Sequence, residues 1–123
     1  MKVILDTNFI ISCINERTDF MEAENFGSLI LAKQVSEELK KISEKGNRKD
    51  KEAAKLAIKI IEKNKKKFEI VDLEVHFVDL GIENYVKNNK NLYVATLDNG
   101  LKRRLKNKAR LLTLRKRKKI EEV

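Results

Sequence analysis

Short apolar runs alternate along the chain with stretches whose apolar residues recur at helical spacing. Val3-Ile4-Leu5, Leu29-Ile30-Leu31, Phe68-Glu69-Ile70-Val71, Leu92-Tyr93-Val94-Ala95 and Leu111-Leu112-Thr113-Leu114 read as strands. Helices are expected between them, over residues 8–16, 20–26, 35–43, 50–65, 77–86 and 100–106. The clearest is 50–65, whose Ala53, Ala57, Ile60 and Ile61 stand at i, i+4, i+7 and i+8 and so form one apolar face. Lys45-Gly46-Asn47 supplies the turn before it. Strands that alternate with helices predict a mostly parallel sheet with helices on both faces, an α/β fold of three layers.

Length and composition narrow the class. A chain of 123 residues fits one domain. With 41% hydrophobic residues it can bury a core rather than stay disordered. No apolar run approaches the ~20 residues that span a bilayer, so no membrane partner is expected. The start, Met1-Lys2-Val3-Ile4-Leu5-Asp6, is too short and too soon charged for a signal peptide. The expectation is a cytoplasmic protein. Cys13 is the single cysteine and lies in the apolar run Phe9–Ile14, where it reads as a small buried hydrophobe. His76 is the single histidine and reads as a surface or capping residue. No Cys/His set matches a zinc site, and no Gly-rich phosphate loop is present.

Charge adds a partner. The formal net charge is +9. Between Lys102 and Lys119 stand eleven of the 28 Lys and Arg residues and no acid, which leaves 17 basic against 19 acidic residues elsewhere. The whole positive excess therefore lies in the C-terminal segment. Charge clustered on one element is the footprint of a phosphate-contacting surface, here Lys102, Arg103 and Arg104 first, although a solubilising tail has the same composition.

Carboxylates supply the candidate chemistry. Ligands of open parallel sheets bind beyond the carboxyl ends of the strands. Asp6 directly follows the first strand and Asp98 closely follows the fourth. Each also suits a helix N-cap. Glu38, early in the helix after strand two, and Asp79, in the first turn of the helix before strand four, can join them. A like-charged pair ~5 Å apart costs on the order of 3 kcal/mol at an effective dielectric of 20. Such a cluster is tolerable when some acids stay protonated or a cation neutralises them. Mg²⁺ or Mn²⁺, bound by oxygen ligands and accepting a substrate phosphate, is the natural partner.

The order Asp6-Thr7-Asn8, Val35-Ser36-Glu37-Glu38-Leu39, Asp79-Leu80-Gly81-Ile82 and Ala95-Thr96-Leu97-Asp98-Asn99-Gly100-Leu101 resembles the PIN-domain nucleases, from Met1 to about Leu114. Residues 94–105 look especially like the PIN proteins that process ribosomal RNA, and single-domain VapC-type toxins are the other close comparison. The resemblance implies a five-stranded sheet of order 3-2-1-4-5 over residues 1–114, with 115–123 as a basic tail. It also implies a metal-dependent endoribonuclease acting on single-stranded RNA. By position Asp6, Glu38, Asp79 and Asp98 match the family's catalytic, metal-binding acids, Asn8 its supporting polar residue and Thr96 its hydroxyl. Glu37 competes with Glu38; the acid directly before the Leu is preferred. Leu97 stands where Asn or Asp is common, and Leu80 where a second acid can follow Asp79, so one metal or two stays open. A toxin would need an antitoxin; a processing enzyme would meet a pre-ribosomal partner; a homodimer is a further arrangement. A non-catalytic RNA-binding ribosome-assembly module is the reading from another class.

Overall fold

The computed structural model describes residues 1–115 and 119–123. In chain order the elements are β1 (Lys2–Leu5), α1 (Thr7–Asn15), a 3-10 helix (Phe20–Phe26), β2 (Ser28–Ala32), α2 (Lys33–Lys45), α3 (Arg48–Lys63), a 3-10 turn (Lys65–Lys67), β3 (Phe68–Val71), α4 (Val78–Asn88), β4 (Leu92–Ala95), α5 (Asn99–Leu105), β5 (Arg110–Arg115) and β6 (Lys119–Glu122). Every expected strand and helix forms, with ends displaced by a few residues. Residues 20–26 wind as a 3-10 rather than an α-helix, started by Asp19, whose side chain accepts from Met21 N at 2.9 Å.

The sheet order is β3-β2-β1-β4-β5-β6. The first five strands are parallel and follow the order 3-2-1-4-5. The chain first moves from β1 through β2 to β3, then crosses back to β4 on the other side of β1. Right-handed crossovers in opposite directions put their helices on opposite faces. Accordingly α1, α2 and α3 pack on one another, and α4 packs on α5. The central strands are apolar at consecutive positions because both faces are covered: Val3, Ile4 and Leu5 in β1 and all four residues of β4 are buried. Cys13 is buried on α1, and burial pushes its thiol up to about 12. Among the described residues no helix is long and apolar enough to cross a membrane.

The sheet has one strand more than the five expected. β6 pairs antiparallel with β5, Leu114 opposite Ile120 and Arg115 opposite Lys119. Ile120 is only 5% exposed. Arg110 grips Glu122 through Nε at 2.6 Å and Nη2 at 2.8 Å, and Arg115 Nε meets Glu121 at 3.1 Å. Residues 119–122, which the sequence suggested as part of a tail beyond 114, are thus a sheet strand. Lys116, Arg117 and Lys118 of that expected tail lie outside the described residues.

Candidate active site

The direction of the crossovers changes between β1 and β4, and a crevice opens where two such neighbouring strands end. Leu5 lies opposite Ala95, and Asp6 N donates to Ala95 O at 2.9 Å. The chain therefore leaves both strands side by side, at Asp6 and at Thr96.

Asp6 is 3% exposed. Its Oδ1 accepts from Thr7 N at 2.8 Å at the start of α1, and its Oδ2 accepts from the buried Thr96 hydroxyl at 2.6 Å. The Thr96 oxygen in turn accepts from Asp98 N at 3.1 Å, so one hydroxyl links the two strand-end acids. Asn8 Oδ1 accepts from Leu97 N at 3.1 Å and ties α1 to the turn after β4. Asp98 caps α5, with Oδ1 accepting from Leu101 N at 3.1 Å. For both Asp6 and Asp98 the cap is real. It does not exhaust the residue, because a carboxylate has two oxygens and about four acceptor sites.

The acids share one electrostatic field. Burial raises Asp6 from 3.8 to about 6; the Thr96 hydroxyl and Thr7 N–H oppose the rise, while the charges of Asp79 and Glu38 add to it. Asp79 is also raised, first by burial and then by its hydrogen bond with Asp98 and that residue's charge. Asp98 is lowered, chiefly by the Leu101 N–H and further by Asp79, Gly100 N–H and Arg104. Asp79 is thus the harder of the pair to ionise and Asp98 the easier. Glu38 is exposed on α2 and is the glutamate whose charge reaches both Asp6 and Asp79; Glu37 faces a neighbouring cleft.

Arg104 Nη2 stands 3.8 Å from Asp79 Oδ2, and Arg104 Nε donates to Glu83 Oε1 at 2.9 Å. Glu83 lies one helical turn beyond Asp79 on the same side of α4, and its side chain is only 17% exposed. Sequence reasoning did not single it out, although its i+4 spacing from Asp79 is a readable signal. The basic trio divides. Arg104 turns to the acids, and Lys102 Nζ donates to Thr113 Oγ1 at 3.0 Å. Burial, then Arg115, lowers the Lys102 ammonium. Arg103 is exposed and makes no ion pair among the described residues.

Four carboxylates offer the hard oxygen donors that Mg²⁺ or Mn²⁺ prefers. In the described residues, no three His, Cys, Asp or Glu side chains are gathered closely enough to hold an ion. The donor chemistry fits a divalent cation, and the nearly enclosed Asp6 is a charge in need of one. The side chains stand in a conformation in which Arg104 supplies the positive charge beside Asp79.

Three comparisons relate the chain to known proteins. A family model described as a PIN like domain matches residues 3–117. Ribonuclease VapC4 of Methanocaldococcus jannaschii is 31% identical over 126 aligned residues, which cover 98% of this chain and 95% of that protein. The solved structure of the PIN domain endonuclease Utp24 matches 98% of this chain and 90% of its own, with a TM-score of 0.79 and 25% identity.

Proposed function

This chain belongs to the PIN-domain family, and from that premise we propose that it is a divalent-metal-dependent endoribonuclease that cuts single-stranded RNA. The observation that carries the reading is Asp6, a buried carboxylate at the topological switch point, raised to about 6 chiefly by burial and further by the charges of Asp79 and Glu38, and linked to Asp98 through the Thr96 hydroxyl. Structural needs alone do not explain these acids together, because the neighbouring carboxylates raise the cost of ionising Asp6 and Asp79.

In this reading Asp6, Asp98, Asp79 and Glu38 hold Mg²⁺ or Mn²⁺. The cation supplies Lewis acidity at the phosphodiester and toward the attacking water. Thr96 and Asn8 keep the two strand ends in register, so that Asp6 and Asp98 face the crevice without reorganisation. Asp79 and Asp98 would both have to be ionised to hold a cation, and the raised Asp79 is the one that resists this more. Arg103, on the helix that leaves the crevice, contacts RNA phosphates.

Two biological settings suit this chemistry. Ribosomal RNA processing is favoured by the pattern of residues 94–105, and a VapC-type toxin role by the relative named VapC4. An antitoxin encoded beside the gene would separate them, because a toxin needs an inhibitor that a processing enzyme does not. The nuclease reading itself is tested by Asp6→Asn, which removes charge at nearly constant size. Cleavage of a single-stranded RNA oligonucleotide in millimolar Mn²⁺ is expected to fall by about 100-fold or more, while circular dichroism stays that of the wild type. Cleavage at the wild-type rate by the folded variant would overturn the reading.

A further inference from the structure

Phe77 is 75% exposed, the most exposed of the large hydrophobic residues described. It occupies the N-cap of α4, where it has no side-chain cap hydrogen bond to offer. Ser, Thr, Asp or Asn would stabilise the helix start there by ~1 kcal/mol. The position thus carries both a poor cap and an aromatic ring in water, two residues before Asp79.

The segment that presents this ring is firmly built. Gln34 of α2 donates to Asp72 Oδ1 at 2.8 Å and accepts from Leu73 N at 3.0 Å. Asp72 Oδ1 also accepts from Glu74 N at 2.8 Å. On its other side the segment lies against Gly81 of α4, where an added Cβ would come within 2.7 Å of the Leu73 Cβ and 3.0 Å of the Val75 Cγ2. Only glycine lets the segment pack this closely on α4. Between it and α2 runs a cleft of about 240 Å³ lined by Gln34, Glu37, Glu38, Lys41 and His76. Glu38 belongs to both this cleft and the field of the carboxylate crevice. The cleft and the carboxylate site thus have Glu38 in common.

Its lining decides what can enter. Two carboxylates repel a phosphate, so the sugar–phosphate backbone is disfavoured there. Glutamates that accept, a lysine that donates and an imidazole suit the edge of a planar heterocycle, and the exposed ring of Phe77, the residue after His76, suits its face. We infer that Phe77 and the His76–Glu37 cleft form a subsite for one unstacked nucleobase of a single-stranded RNA, beside the phosphodiester held at the carboxylates. The inference rests on the ribonuclease reading and deepens it. A duplex keeps its bases stacked and paired and so cannot fill the subsite, which makes the subsite a selector for single strands. Base–aromatic stacking is tolerant of sequence because every base has a π-face.

The chain contains no tryptophan, so Phe77→Trp places a lone reporter in the subsite. Titrating it with a single-stranded RNA oligonucleotide in EDTA is expected to quench its emission, whereas a blunt duplex of the same length leaves emission unchanged. Phe77→Ala is expected to bind the single strand about tenfold more weakly and to bind the duplex as the wild type does. If the wild type binds and cuts single strands while Phe77→Trp is unquenched and Phe77→Ala keeps full affinity, the subsite is overturned and the nuclease reading stands. If Phe77→Ala leaves RNA affinity unchanged and shifts the protein to a smaller species in gel filtration, the ring serves a protein contact and the subsite is likewise overturned. Failure of the wild type to bind or cut any RNA would overturn both together.

Discussion

The crevice beyond β1 and β4 and the edge formed by β5 and β6 handle charge in opposite ways. Along the edge, cations meet anions in pairs: Arg110 with Glu122 and Arg115 with Glu121, with Arg110 also 5.0 Å over the Tyr93 ring. In the crevice the charges of Asp79 and Glu38 bear on Asp6, and the one cation beside them among the described ion pairs, Arg104, stands at Asp79. Matched charge at the edge costs the fold little. Unmatched charge in the crevice is a standing cost to the fold that a ligand can relieve. The basic excess of residues 102–119 therefore overstates the surface free to meet RNA, because Lys102, Arg104, Arg110 and Arg115 already have protein partners.

The largest expected break in this comparison is at Asp6. A group whose folded pKa is raised stabilises the fold fully below its unfolded value and loses that contribution as pH rises through the folded value. From 3.8 to about 6 the loss amounts to about 3 kcal/mol. Metal-free protein should thus become less stable between about pH 4 and pH 7 through this residue. Asp79 acts in the same direction, whereas the lowered Asp98 acts oppositely and only as pH falls below its ordinary value. Urea denaturation in EDTA should show Asp6→Asn gaining on the wild type as pH rises through this window, and millimolar Mn²⁺ should narrow the gap. A constant difference between the two proteins across the window would show that Asp6 is not under this strain.

At the edge the sharper test is Ile120, because its burial and not its charged neighbours anchors β6. Ile120→Ala is expected to cost about 2 kcal/mol in urea denaturation and to leave RNA cleavage per folded molecule unchanged. Stability within error of the wild type would mean that β6 is held by its ion pairs alone.

The smallest expected effect separates two neighbouring arginines. Arg103→Ala should lower the log–log salt slope of single-stranded RNA binding by ~0.7, the release expected for one lost phosphate contact. Arg104→Ala should instead tighten Mn²⁺ binding, since it removes the positive charge beside Asp79 and Glu83, with little change in slope. Isothermal titration with Mn²⁺ and filter binding over a salt series read the two effects apart. Equal slope losses in both variants would place Arg104 on the RNA and not on the acids.

What the sequence disclosed follows physical range. β1 and β4 were legible because both faces of a central parallel strand are covered, which leaves uninterrupted apolar runs. Asp6 and Asp98 were legible because their place at strand ends is itself a local property. β6 was not: Lys119-Ile120-Glu121-Glu122 holds one apolar residue and follows a basic run, and only pairing with β5 makes it a strand. Nor could the sequence foresee that Arg104 would turn to Glu83, 21 positions away on another helix. Composition registered the arginine's charge but not its direction, which is set by the packing of α5 on α4.

Cys13 gives the molecule a clock. It is the chain's single sulfhydryl, buried on the helix that Asp6 caps, and burial raises its pKa above the range in which a thiol attacks an electrophile. A maleimide or disulfide reagent is expected to react with it only when the packing around α1 opens. The labelling rate of the native protein therefore counts those openings, in the manner of amide exchange but at one atom. A cation that draws the N-terminal end of α1 into the crevice would slow the count, so ligand binding at one end of the helix becomes readable as silence at the other.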